Sequence, residues 1–319
     1  MYSRAVEIRI GISACLLGEN VRFDGGHKRD AFLVGSFGRF VTFVPVCPEV
    51  ELGLGTPRDA IRLEKRAGDV RLVVPKSGRD LTESMRAFAA ARVLGLEKEE
   101  LSGYVLKKDS PSCGMERVKV YDGPGAASRK GRGLFAEALL LRFPNLPVEE
   151  EGRLGDLRLR ENFVERVFAY RRVRDLFATH WSVGHLVKFH TAMKLQVLSH
   201  SPEAYARLGR LVARARGLQK AALRERYEAE LLAALAVPAT PRRHANVLQH
   251  MLGYFSDSLS PEERQEVLGL IEEHRRGLTP LVVPLTLIRH HVRRLGVAYL
   301  QGQAYLEPHP RELMLRNHS

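Results

Sequence analysis

Three cysteines, Cys15, Cys47 and Cys113, carry the most reactive chemistry in this chain, and they are the only cysteines it has. Three cysteines cannot all pair with one another, and a reducing compartment disfavours disulfides, so the thiols are buried filler, catalytic groups or metal ligands. Their surroundings bear on the choice. Cys15 sits in SACLLGENVRFDGG, Cys47 in PVCPE and Cys113 in KKDSPSCG. All three are turn-forming segments rich in Gly, Pro, Ser or acidic residues, company that core cysteines rarely keep. Structural zinc draws four ligands from closely spaced pairs, and the sequence contains no C-x-x-C. Three thiolates separated by dozens of residues suit an iron–sulfur cluster better. A [4Fe-4S] cubane takes four cysteines, so a three-cysteine site leaves one iron open. Such an iron is thiophilic and Lewis acidic, suited to capturing a sulfur-bearing substrate.

The elements that must position these thiols can be read next. EIRIGISA (7–14) and VTFVPV (41–46) are β-branched runs that stop at Cys15 and Cys47, and GYVLK (103–107) leads into the loop holding Cys113. RLVVP (71–75) predicts a further strand. Helices are predicted over 81–96, with Thr82 as cap, and over 133–143. Strands alternating with helices imply a parallel, Rossmann-like α/β sheet over residues 1–150, with the three cysteines at its carboxyl edge, where ligands gather. PNLPVEEEGRL (144–154) reads as the crossing to a second domain, 151–319. There the pattern is all-α: 158–177, 181–200, 202–236, 244–255, 261–277 and 283–306 have helical periodicity. The first residues lack a secretory h-region and no stretch approaches a membrane span, which predicts a soluble, cytoplasmic protein.

The formal net charge of +13 is unevenly spread. Residues 1–150 hold 24 basic against 20 acidic side chains, or +4; residues 151–319 hold 26 against 17, or +9, and eleven of the twelve histidines. A field of this kind favours polyanions. Arg153, Arg158, Arg160, Arg166, Arg171, Arg172 and Arg174 form a basic run that reads as a solvated face or, preferably beside an enzyme-like domain, as phosphate contacts. His180, His185 and His190 recur every five residues and share no helical face, which argues against a metal site. His244, His250, His290 and His291 read as packing or surface residues. Trp181 and Tyr254 could stack on a base, but core packing is the expectation.

SACLLGENVRFDGGHK, VPVCPEVELGLGTPR and KKDSPSCG resemble the thiouracil desulfidase family, and HSPEAYARLG with NVLQHMLGYF resembles the domain fused to it in bacterial tRNA 4-thiouridine desulfidases. The resemblance implies that Cys15, Cys47 and Cys113 hold a [4Fe-4S] cluster whose fourth iron takes the thiocarbonyl sulfur. It further implies that Glu49 is the acid/base group and Ser110 a second catalytic residue. The bland alternatives are a first-turn carboxylate for Glu49 and turn chemistry for Ser110. Asp24 in FDGG reads as a turn residue rather than a second catalytic acid; Ser13, Asn20, Asp24, Lys107 and Ser112 are pocket candidates. The implied activity removes sulfur from 4-thiouridine in tRNA, leaving uridine and sulfide, with tRNA as partner and no protein partner inferred. Two rivals stand beside it: a desulfidase of free 2-thiouracil or thionucleosides, and a non-catalytic nucleic-acid-binding protein whose cluster senses redox state.

Overall fold

In the computed structural model, which describes residues 7–123, 127–178 and 180–318, the chain divides into two compact units, Met1–Gly155 and Asp156–Ser319. The absence of a leader was read partly on residues 1–6, which lie outside the described residues.

The first unit contains strands β1 (Arg9–Ser13), β2 (Thr42–Val46), β3 (Arg62–Arg66), β4 (Asp69–Val73), β5 (Gly103–Leu106), β6 (Val118–Tyr121), β7 (Ala127–Gly131) and β8 (Val148–Glu150). Its longer helices are α2 (Thr82–Glu97) and α3 (Leu134–Arg142), and a single turn, α1 (Pro48–Glu51), follows β2. One sheet has the order β2-β1-β5-β8 and is parallel throughout. Ile10, Ile12, Val105 and Leu106 are completely buried, as expected of central strands covered on both faces.

Three readings of this half need correction. RLVVP does form a strand, but β4 pairs antiparallel with β3 in a second, mixed sheet of order β4-β3-β6-β7, outside the parallel one. The expected interdomain crossing holds β8, which completes the parallel sheet by pairing with β5. Thr82 does not cap α2. Its hydroxyl accepts the Leu72 amide at 2.8 Å, tying the helix to the β3–β4 hairpin, while Asp80 Oδ1 accepts the Thr82 amide.

The second unit is helical: α4 (Leu157–Ala178), α5 (Val183–His200), α6 (Pro202–Ala213), α7 (Lys220–Ala236), α8 (Pro241–Leu252), α9 (Pro261–Arg275), α10 (Val282–Arg294) and the short α11 (Ala298–Gln301). The expected single helix over 202–236 is two, broken around Gly217, and the one over 283–306 breaks at Gly296, whose φ is +65°. Caps set the starts. Ser182, Ser201, Thr240 and Ser260 each accept an amide of the first turn, and Pro follows three of the four at the first helical position. Val247, Leu248, Met251, Val267, Ile271, Leu285 and Ile288 make the core joining α8, α9 and α10.

Candidate active site

In the parallel sheet the chain leaves β1 for β2 on one side and later places β5 on the other. The crevice beyond the carboxyl ends of β1 and β5 is therefore the switch point at which such sheets bind ligands. Cys15 lies in the 3-10 turn Ala14–Leu17 directly after β1; Cys47 follows β2 and precedes α1; Cys113 lies in the loop after β5. All three line one cavity of 370 Å³, together with Ser13, Glu49, Lys107 and Ser110.

Each cysteine loop is held by its own backbone chemistry. The Cys15 carbonyl accepts the amides of Lys28 (2.8 Å) and Gly18 (3.3 Å), and Gly18 turns the chain at φ +100°, where only glycine is unstrained. The Ser110 hydroxyl accepts the amides of Ser112 (3.2 Å) and Cys113 (3.0 Å), and the Ser112 carbonyl accepts those of Phe135 and Ala136 at the start of α3. Gly133 lets that helix approach: a Cβ there would lie 2.4 Å from the Ser112 carbonyl.

The donor set can be tested against a metal. Among the described residues, three donor atoms within 4.8 Å of one another occur only at Glu161, Glu165 and His309; the three thiols are spread more widely. A tetrahedral zinc with bonds of about 2.3 Å would draw its sulfurs closer than that. A donor set made of thiols alone is the chemistry that an iron–sulfur cluster uses. Burial pushes the Cys15 thiol up to about 11 against the pull of Lys107, and burial reinforced by Glu49 pushes Cys47 up to about 12. Cys113, in full burial and again facing Glu49, stands well above the ordinary thiol range. Without a cation all three are neutral at pH 7, so loading the site must release their protons.

Glu49 is 8% exposed, so it is a first-turn residue of α1 but not a surface carboxylate. Its Oε2 lies 3.6 Å from the Cys47 thiol, which donates to it, and 4.0 Å from Arg58 Nη2. Arg58 in turn donates from Nη1 to the carbonyls of Val21 and Gly55, both at 2.9 Å. Ser13 accepts the Lys107 amide at 3.0 Å, and Lys107 Nζ forms an ion pair with Glu151 just past β8.

The remaining candidates scatter. Asn20 is exposed and does not line the cavity. Asp24 makes the turn, accepting the Gly26 amide at 3.0 Å. Ser112 is fully buried outside the cavity, with no hydrogen bond to its hydroxyl. Arg58, Arg22, Phe23 and Glu151 were missed. The first three lie inside quoted motifs, LGLGTPR and VRFDGG; Glu151 left no signal in an acidic triplet.

The basic run is not one surface. Arg153 belongs to the first unit, where it pairs with Glu149 (2.7 Å) and Glu116 (3.0 Å). Of the six on α4, Arg158 is exposed and Arg160 and Arg166 are half-buried. Arg171 pairs with Asp175, Arg172 donates to the Glu307 carbonyl, and Arg174 lies against the Tyr170 ring. His190 bonds Tyr227 and His244 bonds Tyr305, both in the interior. Trp181 packs its edge on Phe177, whereas Tyr254 is partly exposed and stacked on Tyr299.

Comparison with known proteins adds to this geometry. Residues 10–151 match a family described as 2-thiouracil desulfurase, and residues 194–310 match a protein family of unknown function, DUF1722. The uncharacterized protein YbgA of Escherichia coli (strain K12) is 37% identical over 153 residues, 48% of this chain and 90% of that protein. The uncharacterized protein YbbK of Bacillus subtilis (strain 168) is 31% identical over 152 residues, 46% of this chain and 97% of that protein. Among solved structures, a [4Fe-4S]-dependent thiouracil desulfidase, TudS, is 34% identical over 50% of this chain and all of its own, with a TM-score of 0.38. No helix among the described residues is long and apolar enough to cross a membrane.

Proposed function

We propose that this chain, whose residues 10–151 match the 2-thiouracil desulfurase family, removes sulfur from 4-thiouridine in tRNA, giving uridine and sulfide. The observation that carries the reading is the convergence of Cys15, Cys47, Cys113 and Glu49 on one cavity at the switch point of the sheet. The three thiols would hold a [4Fe-4S] cluster. Bound there, the cluster supplies Lewis-acidic affinity for sulfur at the one iron without a cysteine.

The exchange of C=S for C=O consumes one water, releases one sulfide and involves no net redox change. Glu49 Oε2 is placed to take a proton from that water and to return it to the ring nitrogen or the departing sulfide. Arg58 offsets the carboxylate's charge in this buried setting. Ser110 orders the Cys113 loop and keeps a hydroxyl proton to donate at the cavity wall. The RNA part of the reading is supported by charge. With the boundary at Asp156, the helical unit holds 25 basic against 16 acidic side chains, still +9. A base inside folded RNA must be flipped out, at a cost of a few kcal/mol that phosphate contacts can offset.

The test is anaerobic reconstitution followed by nucleoside analysis of treated tRNA. A brown protein with about four irons per chain that converts 4-thiouridine to uridine is the expected result. Glu49→Gln should keep the iron and lose turnover. A colourless protein with one zinc would end the cluster reading, and turnover of free thiouracil alone would end the tRNA reading.

A further inference from the structure

The inference deepens the reading of the cavity as a thionucleobase site and rests on it. Phe23 is 44% exposed, and among the exposed large apolar side chains of the described residues it is the one that lines the cysteine cavity. Scattered exposed apolar residues need no account, but this ring is held in place. The Arg22 amide donates to the Gly26 carbonyl and the Gly25 amide to the Arg22 carbonyl, making a turn that presents Phe23. Asp24 locks the turn through the Gly26 amide. Arg58 clamps it from the other side of the sequence: its amide donates to the Phe23 carbonyl and its Nη1 to the Val21 carbonyl, both at 2.9 Å. The residue that faces Glu49 therefore also fixes the backbone that carries the aromatic ring.

Cations outnumber carboxylates around Phe23: Arg22, Lys28, Arg58, Lys107 and Lys108 line the cavity against Glu49 and Asp109, and Arg22 also pairs with Asp24 at 3.4 Å. Arg22 lies 5.6 Å from the ring centroid, and Arg22, Lys28 and Lys108 all line the cavity. A π-face needs only another π-face to stack on, and cations beside it attract phosphate. We propose that Phe23 is the stacking platform for the pyrimidine ring of the substrate, and that its cationic surround selects a nucleotide over a neutral base. Stacking holds the ring as it enters a cavity whose wall carries the thiols and Glu49. Phe23 thus contributes binding and takes no part in proton transfer.

Two readouts test this on the full chain. In steady-state kinetics with thiolated tRNA, Phe23→Ala should raise KM by about 5- to 100-fold, the range that stacking of one base supports, with kcat and iron content unchanged. Phe23→Tyr keeps an aromatic face and should recover most of the loss. The second readout needs no turnover. In Phe23→Trp combined with Trp181→Phe, which removes the chain's one native tryptophan, uridine 5′-monophosphate should quench the new emission saturably and uracil only weakly. A fall in kcat at constant KM, a loss of iron in Phe23→Ala, or emission indifferent to the nucleotide would each overturn the proposal. If the native chain turns over no thionucleobase, the desulfidase reading fails by itself, and the quenching still decides whether Phe23 stacks.

Discussion

Replacing Gly133 by alanine should empty the site without disturbing the rest of the chain. Gly133 has φ −68° and ψ 142°, values any residue adopts, so Gly133→Ala introduces no backbone strain and its effect is steric. The added Cβ would lie 2.4 Å from the Ser112 carbonyl carbon and oxygen and 2.8 Å from the Cys113 amide nitrogen. Relaxing this to an ordinary contact of 3.4 Å needs a displacement of about 1 Å. Neither neighbour is the far end of a flexible side chain. Both are backbone, and the Ser112 carbonyl is pinned by the amides of Phe135 and Ala136. Overpacking of this kind costs about 1–3 kcal/mol, but the larger consequence is geometric. Ligand distances tolerate about 0.2 Å, so moving the Cys113 loop by several times that should release its sulfur from any metal. Iron and acid-labile sulfide per chain, measured after anaerobic reconstitution, should fall below about half the native content, the loss expected when one of three ligands is displaced. Gly155→Ala is the control, because a Cβ there meets nothing within 4 Å. Full iron content and native turnover in Gly133→Ala would refute the assignment of Cys113 as a ligand.

Other outcomes follow from the same coordinates. Ser110→Ala strips the acceptor from two amides of the Cys113 loop, at about 1–3 kcal/mol for the groups left unsatisfied; iron should be lost faster in air and turnover should fall, which a time course of iron content and activity measures. Arg316→Met leaves Glu161 and Glu165 buried beside each other without the cation that pairs with both, at 3.1 and 2.7 Å. Breaking such a pair costs about 3–5 kcal/mol, so the urea midpoint of the helical unit, read from Trp181 emission, should drop sharply. The same emission should show acid sensitivity. Burial pushes His190 and His309 down to about 4 and His244 well below its ordinary value, so these rings stay neutral in the fold while the unfolded chain protonates them below about 6.5. The unfolded state then binds more protons, and stability is lost as pH falls from about 6.5 towards 4. Glu161, raised to about 8 by burial and by Glu165, works in the opposite sense but is one group against three. A midpoint that does not change between pH 7 and 5 would contradict this account.

How far the sequence could be read depended on whether a signal was local. Strands β1 and β5 are apolar and buried and β2 is apolar with Val44 and Val46 inside, so their pattern and their end points are legible in the residues themselves. Strand β8 is only Val148–Glu150, two of its three residues acidic, and nothing local marks it. It exists because Tyr104, Val105 and Leu106 offer it a ladder, and because Glu150 finds the Met115 amide at 2.7 Å. Strands β3 and β7, RLEKR and ASRKG, are charged and half in water, and so resemble loops. The cysteines were legible because their turn-rich surroundings contradicted a core role. Arg58 was not, because an arginine after Thr-Pro has no pattern of its own. Its function comes from carbonyls 37 and 3 residues away and from a carboxylate in the first turn of α1. The arginine run has the same limit: periodicity put Arg158 to Arg174 on one helix but could not show which face of α4 is buried, with Glu161, Asn162 and Glu165 inside.

Placing three thiols on the loops that follow three strands has a consequence that a pair-based site would not. In a C-x-x-C site two ligands come from one turn and can be arranged locally. Here the relative positions of Cys15 and Cys47 depend on the register that runs from Arg9–Thr42 to Ser13–Val46, and that of Cys113 on the pairing of Ile10, Gly11 and Ile12 with β5. The site exists only when the sheet does. Whatever binds the three thiols therefore binds the folded first unit and not the unfolded chain, and stabilises that unit by mass action. All three cysteines precede residue 114 and so belong to the first unit. Loading the site should accordingly raise the unfolding transition of the first unit and leave the Trp181 transition where it was. A shift of the Trp181 transition by the same amount would mean that the two units unfold together, and that metal occupancy is felt in the domain proposed to hold RNA.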